Sequence, residues 1–151
     1  LAWFLLGFVS ETIIARELLD VCRNSLVSSV NEMLRDHLAD EARHSRYFAE
    51  VFHYLWLALN NRQRTFASRS LLEIIGMFFE ADERWLQQSL RGAGITDSAV
   101  TDIIVSVTAP QATRRRARSG ATATLDALKS AGFFAWPTNQ QRFAKAGLID
   151  G

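Results

Sequence analysis

The sequence contains a single cysteine, Cys22, among 151 residues. One thiol excludes an internal disulfide and fits a reducing, cytoplasmic location. Cys22 is expected to pack as a small buried apolar residue. A run of the roughly twenty apolar residues needed to span a membrane is missing too. The apolar opening, Leu1 to Val9, stops at Ser10-Glu11. It lacks the basic start and small-residue cleavage site of a signal peptide, so no targeting segment or membrane partner is expected. Charge of one sign is also missing. Seventeen Lys and Arg stand against sixteen Asp and Glu, a net +1, which gives the whole molecule no bulk preference for nucleic acid or acidic membranes. After Pro110 seven basic residues face only Asp126 and Asp150, an excess of +5 that leaves −4 on the first 109 residues. There is no alternating strand pattern, Gly-rich phosphate loop, nucleophile elbow or internal repeat.

What is present is helical periodicity on a chain long enough for one domain with a real core. A first helix is expected from Leu1 to about Cys22, then a connection at Arg23-Asn24-Ser25 and a cap at Ser28 or Ser29. A second runs from about Val30 to Leu59, roughly 45 Å at 1.5 Å per residue, the length of a bundle helix. Asn60-Asn61-Arg62 ends it. A third is expected from Thr65 or Ser68 to about Leu90, with Glu73, Gly76, Glu80, Glu83 and Gln87 as a solvated stripe and Arg91-Gly92-Ala93-Gly94 as its stop. Thr96-Asp97 opens a short helix to about Val107, and Pro110 starts a segment running to about Ala131. Trp136-Pro137 starts a last helix to about Ala146. Phe52, Tyr54 and Trp56 are expected to pack.

In the second helix His37, Glu41 and His44 fall at i, i+4 and i+7, within roughly 60° of one another. The stripe continues apolar through Phe48, Val51, Phe52 and Leu55 and starts at Val30 and Leu34. The polar triplet therefore interrupts an apolar face. A carboxylate there costs several kcal/mol unless it is paired or coordinated. Imidazole with carboxylate and no thiolate suits iron, manganese or zinc. In the first helix Glu11 stands amid Phe4, Phe8, Ile13, Ile14 and Leu18. It calls either for a partner such as Ser10, Thr12 or Arg43, or for a metal. One Glu on one helix and Glu-x-x-His on the next is half of the di-iron bundle ligand set. Glu50 and His53 share the Glu-x-x-His spacing but are turned roughly 100° or more from Glu41, and are expected at the flank or surface.

Glu11, then His37-x-x-x-Glu41-x-x-His44 within Asp36 to His44, resembles the C-terminal half of the p-aminobenzoate N-oxygenase family. The resemblance runs from about Leu1 to Leu59. It implies an all-α, partly ferritin-like bundle: a metal-ligand helix pair over 1–60, with accessory helices over 65–151. It further implies two non-haem irons held by Glu11, His37, Glu41 and His44, with dioxygen as co-substrate. The reaction implied is oxidation of an amine, often an aryl amine, with an external electron donor and a homodimeric assembly. Asp40 is a candidate to orient a histidine of the facing half. A further Glu and a first Glu-x-x-His belong to the family's pattern and are not in this chain, so it is expected to be a fragment, inactive by itself. Phe4, Phe8 and Phe48 are expected in the aromatic core rather than a pocket. Two other readings remain: a ferritin-like protein that stores or oxidises iron, and a helical interaction module built on Arg114, Arg115, Arg116 and Arg118. A solvated face is the plainer reading of that run, because no aromatic residues interleave it and no groove-reading motif follows.

Overall fold

The structure, a computed structural model, describes the backbone of residues 1–24 and 28–150, and the side chains of these except 19–24 and 30. Cys22 and Ser25 therefore lie outside what can be compared with the expectations above. The described residues form eight α-helices and one 3₁₀ turn, with no strand. They are α1 (Ala2–Asn24), α2 (Ser28–Ala58), α3 (Asn61–Phe79), α4 (Glu83–Gly92), α5 (Asp97–Thr108), α6 (Pro110–Gly120), α7 (Thr122–Ser130) and α8 (Pro137–Lys145), with the 3₁₀ turn at Phe133–Ala135. The all-α expectation holds, and none of these helices is long and apolar enough to cross a membrane.

α1 and α2 lie antiparallel. Phe4 meets Phe48 at 5.7 Å between ring centroids, while Glu11, seven residues on, meets His44, four residues back. Gly7 permits the approach, since a Cβ there would stand 3.0 Å from the Phe48 ring. α3 packs on α1, and α7 packs across both α1 and α2. The core is one cluster from Leu5 and Phe8 through Phe52, Trp56 and Leu71 to Leu128, Phe143 and Leu148. The helices beyond residue 65 thus share the core of the first pair. An aromatic series runs through it: Phe8 to Phe52 (4.6 Å), Phe52 to Trp56 (6.1 Å), Trp56 to Phe133 (4.8 Å) and Phe133 to Phe143 (5.2 Å). Phe52 and Trp56 are buried as expected, but Tyr54 is exposed, because it points about 160° away from each of them around the helix.

The α2–α3 corner is fixed twice. Asn60 and Gln63 form a reciprocal capping box, each bond 3.0 Å, which starts α3 several residues earlier than expected. Arg64 donates to the carbonyls of Trp56 and Leu57 at 3.2 and 3.1 Å, and its guanidinium lies over the Trp56 and Trp136 rings. It thereby satisfies carbonyls at the end of α2 that the helix cannot.

Two further boundaries differ from expectation. The third helix breaks after Phe79, where Glu80 is extended and Asp82 accepts a hydrogen bond from the Trp85 N–H at 2.9 Å to start α4. The expected segment 111–131 divides at Ala121, between α6 and α7. Gly120 explains that crossing. A Cβ there would overlap the Phe79 ring, so only glycine lets α6 pass so close to the end of α3.

Candidate metal centre

Three residues converge on one side of the α1–α2 pair. Glu11, Glu41 and His44 each offer a ligand atom, and all these atoms lie within 4.8 Å of one another. The His44 Nδ1 is 3.4 Å from one Glu11 oxygen and 3.6 Å from one Glu41 oxygen. Glu41 and His44 lie three residues apart on α2, so one helical turn presents both toward α1. Glu11 reaches them because α1 approaches closely at Gly7, one turn earlier.

The Glu11 Oε2 atom is buried and accepts no well-formed hydrogen bond; its partner is the His44 Nδ1, at 3.4 Å. The partners that would make Glu11 an ordinary buried acid are engaged elsewhere. Ser10 donates to the Gly7 carbonyl at 3.2 Å, and Thr12 to that of Phe8 at 2.7 Å. Thr12 also bonds Thr124 of α7 at 2.7 Å. Arg43 pairs with Asp40 at 3.0 Å and donates to the Ala39 carbonyl. Burial first, and the Glu41 carboxyl beside it second, raise the pKa of Glu11, while the His44 imidazole pulls it the other way. Two adjacent carboxylates facing one imidazole at 3.4 and 3.6 Å are a donor set that a divalent cation would satisfy. The residues fit a metal.

The expectation that the whole set is buried needs correction. Glu41 and Glu11 side chains are 19 and 26 % exposed, but His44 is 57 % exposed. The reason is angular: His44 is turned about 60° from Glu41, onto the rim, and no described helix covers that side. His37 is exposed and does not join the three converging residues. Asp40 is exposed and held by Arg43 rather than against a histidine. Glu50 and His53 are exposed. Phe8 is fully buried; Phe4 and Phe48 are half-buried and pack against the core beside the site.

Sequence reasoning missed Gly7 and the Thr12–Thr124 bond. A glycine inside an apolar helix was the available signal for the first; a bond between residues 112 apart leaves none. The arginine run divides its duties. Arg116 donates to the Val107 carbonyl at 2.8 Å and the Phe79 carbonyl at 3.4 Å, tying α6 to the ends of α5 and α3. Arg118 pairs with Asp150 at 2.6 Å, which lowers the aspartate's pKa and raises the arginine's. Arg114 lies beside Gly147.

An antiparallel helix pair that sets a Glu against a Glu-x-x-His defines an all-α protein of the ferritin-like class carrying a carboxylate–histidine group. Comparison with known families narrows the class: residues 1–132 match the model of P-aminobenzoate N-oxygenase AurF. The chain belongs to this N-oxygenase family. The match runs far beyond Leu59, where the sequence resemblance ends, and takes in α3 to α7. No curated protein and no solved structure matches the chain.

Proposed function

We propose that this chain supplies one side of a di-iron centre that oxygenates an amine, with an aryl amine as the substrate class. Glu11, Glu41 and His44 would hold the metal, and the convergence of their ligand atoms within 4.8 Å of one another is the observation that carries the reading. Iron bound there would supply the activation of dioxygen for oxygen transfer to the amine nitrogen, drawing on an external electron donor. The two carboxylates neutralise cationic charge, and His44 contributes a neutral donor from the rim. Three donors are too few for two ions, so the remaining ligands would come from residues other than Glu11, Glu41 and His44.

Cobalt(II) tests this reading, because its visible bands report the ligands directly. The protein should develop saturable bands on Co(II) addition, and Glu41→Ala and His44→Ala should each lose them. Bands of unchanged position and intensity in both variants would rule the assignment out.

A further inference from the structure

We propose that a cleft between α3 and α6 binds a small zwitterion with an apolar side group, of the class of the aliphatic and aromatic α-amino acids. None of the residues lining it belongs to α1 or α2, so it is separate from the metal centre.

A recess of about 180 Å³ lies between Leu72, Ile75, Ala117, Ala146 and Leu148. A cavity of about 150 Å³ walled by large aliphatic and aromatic side chains binds benzene, so this one has room for a phenyl or branched aliphatic group. Gly76, Thr113 and Arg114 line both the recess and a wider cleft of about 780 Å³. An apolar pocket with a few polar groups at its mouth is the usual form of a small-molecule site.

Gly76 keeps the two volumes joined. Glycine inside a helix is unfavourable relative to alanine. Gly7 and Gly120 have a packing reason, since a Cβ at either would crowd a phenylalanine ring. Gly76 lies inside α3, and a Cβ there would meet nothing within 4 Å. Packing does not call for a glycine at this position. Its missing side chain leaves the recess open to the cleft.

The charges at the mouth are of both signs. Arg114 lays its stem against Gly147, and its guanidinium has no partner among the described residues. Thr113 accepts a hydrogen bond from Arg116 at 3.3 Å and keeps its own hydrogen to donate. Together they suit a carboxylate. Glu73 and Glu80 stand three residues before Gly76 and four after it, on the same face of α3. They line the wider cleft and are likewise unpartnered among the described residues. They suit an ammonium group. A simple acid would leave the two glutamates uncompensated, and a simple amine would leave Arg114 so. A molecule with both charges beside an apolar group answers the whole lining.

Titration followed by amide NMR tests the proposal, with L-phenylalanine, L-leucine, 3-phenylpropionate and 2-phenylethylamine as probes. The two amino acids should shift the amides of Gly76, Thr113 and Arg114 with dissociation constants of about 1 mM or below. The propionate lacks the amine and the ethylamine lacks the carboxylate, and each should bind about tenfold or more weakly. Gly76→Leu should fill the mouth and abolish binding, with no loss of helical circular dichroism. Arg114→Gln alters an exposed position and should weaken binding about tenfold with the fold unchanged. No shift at these amides with either amino acid at about 10 mM would overturn the proposal. Equal binding of either single-charge analogue, or undiminished binding in Gly76→Leu or Arg114→Gln, would overturn it as well.

Discussion

Glu11 is a carboxylate in a helix whose neighbours Phe8, Val9, Thr12 and Ile13 are all buried. That single incongruity made the site legible in the sequence, together with the i, i+3 pairing of Glu41 and His44. What could not be read was the degree of exposure. Burial depends on which helices cover a face, and the periodicity of α2 alone does not say that His37 and His44 lie open. Glu11 carries a definite pH signature. Its pKa in the folded chain is raised, by burial and by Glu41. The metal-free fold therefore has its full share of stability from this group below the ordinary Glu value of 4.5, and loses it as pH rises through the raised value. Glu11→Gln removes the penalty. It should make the metal-free protein more stable than the wild type at pH 7, flatten this part of the stability–pH curve and abolish metal uptake. Urea unfolding at pH 4 and pH 7 measures the first two effects. A destabilised Glu11→Gln at pH 7 would show that the carboxylate is held by a partner after all.

At the scale of elements, α1 and α2 were readable because their apolar stripes are long and their ends are marked by short polar segments. The break between α3 and α4 was not, because Glu80 and Glu83 continue a stripe that also suits one solvated helix. The Asp82 cap shows only when the Trp85 N–H is seen to use it. The division of α6 from α7 was signalled by Gly120, but its cause, the Phe79 ring, lies 41 residues away. Gly120→Ala should cost about 1–3 kcal/mol by overpacking that crossing, measurable by denaturant unfolding. A neutral effect would mean that Phe79 swings aside freely. Gly7→Ala tests the other close approach. It should push Phe48, part α1 from α2 and lower metal affinity more than it lowers stability. Equal proportional losses would mean that Gly7 serves packing alone.

For the whole molecule, one core binds the helix pair to α3, α7 and α8, and the family match extends through α7. The site is therefore held by more of the chain than its two ligand helices. Metal that binds the folded chain and not the unfolded one must stabilise all of this together. At a free concentration a hundredfold above the dissociation constant the gain is about 2.7 kcal/mol. For a chain of this size it should raise the melting temperature by roughly 5–10 °C. Scanning calorimetry with and without Co(II) measures that shift, and no shift at saturation would mean that the metal binds folded and unfolded chains alike.

The proposed function stands on Glu11, Glu41 and His44 holding metal together. Anaerobic equilibrium dialysis against Fe(II) tests it most directly, comparing the wild type with Glu11→Gln, Glu41→Gln and His44→Asn. The wild type should take up iron saturably, and each variant should lose at least tenfold in affinity, about 1.4 kcal/mol. Equal uptake by all four proteins would contradict it.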